Sequence, residues 1–203
     1  MRYVFATNNP GKTRELKAIF QESGIDLLTL SDLNLSLSPD ETGTTFEENA
    51  LIKANETAAF LRSHGHSNIV VLADDSGLEV DAMDGRPGVD SALFMGAETP
   101  FEVRNTQIIQ NLSNTPDEQR TARFVCVITC VFPNNEILTT RAELAGKVAL
   151  KIQGENGFGY DPILYVPAYG KTVAELTSEE KNKISHRGQA VRQILELLRD
   201  SES

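Results

Sequence analysis

The chain is poor in cysteine, histidine and positive charge, and each shortage removes a class of function. Cys126 and Cys130 are the only cysteines among 203 residues. Both fall in the apolar run from Phe124 to Phe132, four apart and so on one face of a strand. Their Cα atoms would then lie ~13 Å apart, beyond disulfide reach. With three histidines and no Cys-x-x-Cys spacing, the pattern of a structural zinc site is missing, and the thiols read as core residues. Nineteen Lys and Arg against 29 Asp and Glu give a formal net charge of −10. That balance argues against a general nucleic-acid binder, whose affinity rests on neutralising phosphates. No run of 18 uninterrupted apolar residues occurs, so no membrane span is expected. The segment Met1 to Thr7 lacks the apolar length of a signal peptide, which gives the expectation of a cytoplasmic protein. Internal repeats, low-complexity tracts and linkers are absent as well.

What is present suits one well-buried α/β domain: 40% hydrophobic and 24% charged residues. The domain is expected over residues 1–199, with 200–203 as a frayed tail. Tyr3 to Thr7 reads as a strand, Asn8-Asn9-Pro10-Gly11 as a turn or loop, and Lys12 to Glu22 as a helix. Ile25 to Leu30 reads as a short strand and Ser31 to Gly43 as an exposed loop. Thr45-x-x-Glu48 has the form of a capping box, followed by the apolar stripe Phe46, Ala50, Ala54, Ala58 and Leu61. Ile69 to Ala73 is a buried strand, and Leu78 to Ala82 a separate, half-exposed one ended by Asp84-Gly85. A helix is expected from Thr99-Pro100, with Thr99 as cap. Thr121 to Glu143 forms a long hairpin, and Ile163 to Val166 a further strand. Two helices close the chain, Ser178 to Lys183 and roughly Gly188 to Arg199. Hairpins and crossovers together predict a mixed sheet.

Chemistry concentrates in a few places. Asp74-Asp75-Ser76-Gly77 follows the 69–73 strand, at the carboxyl end where open α/β sheets bind ligands. Adjacent carboxylates are costly unpaired, and hard oxygens suit Mg²⁺; an Asp-Ser-Gly turn closing a strand is the other reading. Thr7-Asn8-Asn9-Pro10-Gly11-Lys12 joins a strand to a helix start, where backbone N–H groups and a lysine can cradle phosphate, or can form an ordinary turn. Asn49 and Lys53 lie one helical turn apart beside the apolar stripe, with Glu41 in the preceding loop. A lysine there either snorkels to solvent or joins a site. Gly157-Phe158-Gly159-Tyr160-Asp161-Pro162 offers either core plugs or a stacking surface for a planar base. Ser185-His186-Arg187-Gly188 puts cations at a helix start, against the macrodipole, and a local rule broken there often marks a site.

Taken together, these segments resemble the inosine triphosphate pyrophosphatase family, house-cleaning hydrolases of non-standard purine nucleoside triphosphates. The resemblance is carried by Ala6 to Glu15, Glu41 to Ala54, Ala73 to Val80, Arg86 to Ala92, Gly157 to Pro162, and Lys181 with Ser185 to Ala190, in family order along nearly the whole chain. It implies an elongated two-lobed α/β domain with a mixed central sheet flanked by helices and an active-site cleft between the lobes. It further implies that Thr7, Asn8, Asn9, Pro10, Gly11 and Lys12 bind the triphosphate, with Lys53 adding charge. Glu41 and Asp75 would hold Mg²⁺, Asp75 would also be the base that prepares the attacking water, and Ser76 would touch substrate. Phe158, Gly159, Tyr160 and Asp161 would form the base pocket, with Lys181, His186 and Arg187 reading the purine. The family's members are usually homodimers. Competing expectations are a pyrophosphatase of modified pyrimidine triphosphates and a non-catalytic nucleotide sensor. The sensor fits poorly, because binding alone needs neither a base nor a metal-activated water.

Overall fold

The computed structural model describes Met1 to Ser201, the side chains through Arg199. The elements are β1 (Arg2–Phe5), α1 (Pro10–Glu22), β2 (Leu27–Thr29), α2 (Phe46–Ser63), β3 (Ile69–Val80), α3 (Phe101–Asn111), β4 (Thr121–Val131), β5 (Ile137–Val148), β6 (Leu164–Val166), β7 (Lys171–Thr172), α4 (Ser178–Ile184) and α5 (His186–Ser201). The sheet order is β2-β1-β3-β4-β5-β6-β7. Strand β1 runs parallel to β2 and β3, whereas β6 is antiparallel to β5 and β7, so the sheet is mixed as expected. Helix α5 continues two residues into the segment expected to fray, whose last two residues, 202–203, lie outside the described residues.

The chain divides into two compact units. The first comprises residues 1–75, 126–142 and 187–203. Here the sheet is packed on both faces. Tyr3, Phe5, Val70, Leu72, Cys126, Ile128 and Cys130 meet Leu16, Ile19 and Phe20 of α1 and Val191, Ile194 and Leu198 of α5. Val4, Ala6, Ile69, Val71 and Ala73 meet Ala54, Ala58 and Leu61 of α2. The small residues of the α2 stripe let that helix lie close to the sheet, and its capping box at Thr45 and Glu48 forms as expected.

The second unit comprises residues 76–125 and 143–186. Its core joins Leu78, Val80, Ile108, Leu112, Phe124, Leu144, Tyr160 and Ile163. Two buried arginines serve as carbonyl hubs there. Arg104 donates to the backbone oxygens of Ser91, Ala92, Gly96, Ala97 and Thr99, and Arg120 to those of Leu112, Val148 and Ala149. Each thereby satisfies a loop that would otherwise bury bare C=O groups.

Three sequence expectations are corrected. The strands expected at 69–73 and 78–82 are one 12-residue strand, β3, with Asp74-Asp75-Ser76-Gly77 inside it. Gly77 permits this. A Cβ there would collide with the Gly88 carbonyl and the Ser91 hydroxyl, which also accepts from Leu78 N at 2.9 Å. Helix α1 begins at Pro10 rather than Lys12, because Asn9 caps it by accepting from Gly11 N and Lys12 N. Thr99 does not cap α3; Pro100 is extended, and the Thr99 hydroxyl donates to the Met95 carbonyl instead.

Both cysteines are fully buried, as their apolar run implied. Burial pushes the Cys126 thiol up to about 12. At pH 8 its thiolate fraction is therefore expected to be on the order of 10³-fold below that of a free cysteine. Native protein should resist alkylation at pH 8 and take up two labels after denaturation, as read by mass spectrometry. Rapid labelling of folded protein would contradict this placement.

Candidate active site

Within β3 successive side chains point to opposite faces of the sheet, so the two adjacent aspartates serve different neighbours. Asp74 follows Val70 and Leu72 toward the α1 and α5 face, while Asp75 follows Val71 and Ala73 toward α2. Strand β1 pairs with β3 only as far as Phe5 opposite Leu72, with one further bond from Ala6 N to the Leu72 carbonyl. Both carboxylates thus lie just beyond the carboxyl end of β1. The strand end read from the sequence at these aspartates is that of β1 and not of β3.

Asp74 is 1% exposed and receives the Lys12 ammonium at 2.9 Å, with Arg187 Nε at 3.6 Å. Burial pushes its carboxyl up, but Lys12, Arg187 and Lys53 outweigh that and hold it well below the usual carboxylate range. Arg187 is also paired with Glu15 of α1. Burial alone would favour a neutral guanidinium, yet Glu15 and Asp74 keep it charged. Lys12 stands in the first turn of α1, where Asn9 Oδ1 takes the Gly11 and Lys12 N–H groups and the positive end of the helix dipole remains. An anion arriving there would meet a lysine and a helix start together.

On the other face, Asp75 accepts from Asn49 Nδ2 at 3.1 Å and from Lys53 Nζ at 3.4 Å. Lys53 also reaches Glu41 Oε1 at 3.1 Å. Burial is the largest influence on Asp75 and, with Glu41, pushes its carboxyl above the ordinary value despite Lys53 and Lys12. Lys53 is itself penalised by burial, but Asp75, Asp74 and Glu41 raise it, so it stays cationic.

Among the described residues no group of three or more His, Cys, Asp or Glu side chains is arranged to hold a metal. Glu41 and Asp75 nevertheless share one cation already, the Lys53 ammonium. Two hard carboxylates around one cationic position fit Mg²⁺, which takes one or two protein carboxylates and completes its shell with water and phosphate.

The remaining expected residues fall as follows. The Thr7 hydroxyl accepts from Asn9 N at 3.1 Å, and Asn8 Nδ2 donates to the Leu37 carbonyl at 3.2 Å, which ties the loop between β1 and α1 to the chain around Leu37. Ser76 is half-buried in β3. In the second unit, Asp161 accepts from Phe158 N at 2.8 Å and from Lys181 Nζ at 2.6 Å, and both partners of the ion pair are buried. The Lys181 ammonium lies 4.8 Å from the centre of the half-buried Phe158 ring. Tyr160 goes into the core, its hydroxyl on the Ser91 carbonyl and its ring edge-on to Phe101. Gly159 accepts from Asn105 Nδ2 at 3.1 Å, which pins the loop to α3. His186 is buried, its ring 4.8 Å from that of Phe124.

Sequence reasoning singles out Asp74 beside Asp75 and Asn49 beside Lys53 without assigning either a role, and it assigns none to Glu15. Asn49 showed a signal, one turn before Lys53 on the same helix face. Glu15 meets Arg187 across 172 residues, which no local periodicity reports.

The fold and these charges define a mixed-sheet α/β protein with a cation-lined site at a helix start, the class that takes phosphorylated ligands. The chain belongs to the Ham1 family, whose model matches residues 3–197. It is 48% identical over 194 residues to a dITP/XTP pyrophosphatase of Exiguobacterium sp., covering 96% of this chain and 95% of that protein. To the dITP/XTP pyrophosphatase of Bacillus subtilis it is 43% identical over 195 residues, 96% of each. The solved structure of the Staphylococcus aureus Ham1 protein matches with a TM-score of 0.84 at 39% identity over all of both chains. A HAM1 protein from Coxiella burnetii matches with a TM-score of 0.85 at 36% identity, covering 98% of this chain and 99% of that one.

Proposed function

We propose that the protein is a Mg²⁺-dependent nucleoside triphosphate pyrophosphatase that converts inosine, deoxyinosine and xanthosine triphosphates to the monophosphate and pyrophosphate. The observation that carries this is the placement of Lys12 and Lys53 against Asp74 and Asp75 beyond the end of β1, beside the α1 start. Similarity to proteins named dITP/XTP pyrophosphatases supports the substrate class.

In this reading Lys12, the first turn of α1 and Lys53 take the triphosphate, which is how an acidic protein accommodates a polyanion. Asp75 takes a proton from the attacking water; oxygen bonds to the α-phosphorus, and the bond to the bridging oxygen breaks as pyrophosphate leaves. Carboxylate oxygens carry spare lone pairs, so bonds from Asn49 and Lys53 leave Asp75 able to act. Its raised proton affinity suits a general base. Mg²⁺ held by Asp75 and Glu41 would supply charge neutralisation of the phosphate oxygens. Phe158, Gly159, Asp161, Lys181 and His186 take the purine, and Tyr160 supports their loop from the core. Arg187, a donor-only side chain held beside Glu15 and Asp74, would read the base.

Pyrophosphate release measured with Mg²⁺ over six nucleoside triphosphates tests the reading. The three named substrates should be consumed well ahead of adenosine and guanosine triphosphates and a modified pyrimidine triphosphate. No release from any of them would leave a nucleotide sensor, and preference for the pyrimidine would replace the substrate class.

The family resemblance alone supports a symmetric homodimer. Light scattering at micromolar concentration should give about twice the 22.3 kDa chain mass. A species of chain mass alone would count against the dimer.

A further inference from the structure

Asn49 sits inside α2 with 3% of its surface exposed. Asparagine is a poor helix-interior residue, and a buried amide is costly unless both of its ends are bonded. Both are. Its Oδ1 accepts from Gly43 N at 2.8 Å, and its Nδ2 donates to Asp75 Oδ2 at 3.1 Å. A backbone N–H can only donate and a carboxylate can only accept, so these partners fix one orientation of the amide. Lys53, one turn further along the same face, donates to the other carboxylate oxygen of Asp75 at 3.4 Å. One helix face therefore holds both oxygens of Asp75. Gly43 lies two residues after Glu41 and directly on the helix: a Cβ there would stand 2.7 Å from Asn49 Oδ1 and 2.6 Å from Glu48 Cβ.

We propose that Asn49 is the positioning residue of this site: it sets the plane of the Asp75 carboxylate and, through Gly43, the place of Glu41 beside it. The inference rests on the reading of Asp75 as the base. Asn49 acts through Asp75 and not on the nucleotide, so its loss reaches turnover more than substrate affinity.

Four proteins test this: wild type, Asn49→Ala, Asn49→Asp and Thr45→Ala. Asn49→Ala should lower kcat for inosine triphosphate about 10- to 100-fold, as outer partners of site carboxylates do. Its KM should stay within about threefold of wild type. Asn49→Asp keeps an acceptor for Gly43 N and loses the donor to Asp75, so its kcat should fall too. Thr45→Ala loses the cap of the same helix; its melting temperature should drop while kcat stays within about twofold. In a crystal structure of Asn49→Ala the Asp75 carboxylate should be rotated from its wild-type plane. Near wild-type kcat in Asn49→Ala or Asn49→Asp, an equal kcat loss in Thr45→Ala, or an unmoved carboxylate overturns the proposal. If wild type itself releases no pyrophosphate, the functional reading fails, while the carboxylate position still decides the role of Asn49.

Discussion

Asp75→Asn is expected to lower turnover of inosine triphosphate by at least ~10²-fold, the lower end for a positioned base. The substitution keeps shape and volume, so the cleanest change is chemical: a carboxamide oxygen is far too weak a base to take the water's proton. The packing around it should survive. The carboxyl is already penalised by burial, as its raised proton affinity shows, so removing its charge relieves a cost as well as losing an ion pair. Lys53 keeps Glu41 at 3.1 Å and is not left uncompensated. The new NH₂ must face either Asn49 Nδ2 or Lys53 Nζ, both donors, and that mismatch should appear as a modest loss of melting temperature. Steady-state kinetics on purified, folded Asp75→Asn check the role. Near wild-type turnover would remove Asp75 from the chemistry, and a protein that no longer folds would show Asp75 to be structural.

The parts of this molecule that were legible in the sequence are those set by local chemistry. Helix α2 announced itself through Thr45, Glu48 and a stripe of alanines, and all of that stripe is buried. Cys126 and Cys130 were readable as core because the run around them is apolar without interruption. Asp74 to Gly77 misled because Asp, Ser and Gly are turn formers, and their propensity pointed to a strand end. Packing overrode it. The Gly88–Ala92 turn closes over Gly77 with the Ser91 hydroxyl on Leu78 N, and both aspartates find lysines, so the extended chain runs on. Asn9 reads as a turn residue for a related reason: the residue types that favour turns are those that cap helices. Long-range partners left no trace in the sequence pattern. Nothing near Glu15 or Arg187 states that they pair, and the motif Ser185-His186-Arg187 revealed only that cations stand at a helix start.

That pairing gives Arg187→Ala a large expected effect, first on the fold. Arg187 is 3% exposed and lies between Glu15 and Asp74, itself 1% exposed. Breaking a buried ion pair by removing one partner costs about 3–5 kcal/mol, because the charge left behind stays out of water. Lys12 still compensates Asp74, and Glu15 keeps 15% of its side chain exposed, so the loss should sit toward the lower end of that range. Arg187→Lys should recover only part of it, since a lysine lacks the fork that can address two carboxylates. Denaturant unfolding of the three proteins measures this. The second effect is on selectivity. Hypoxanthine carries a 6-oxo acceptor where adenine carries a 6-amino donor, and a donor-only side chain can bond the first alone. A pocket built on such a bond rejects the analogue that leaves it unpaired. At a temperature where the variant stays folded, KM for inosine triphosphate should rise, its advantage over adenosine triphosphate should narrow, and the guanosine-to-adenosine ratio should fall with it. An equal loss on all three purines would confine Arg187 to the charged cluster around Asp74, with Lys181 and His186 left to read the base.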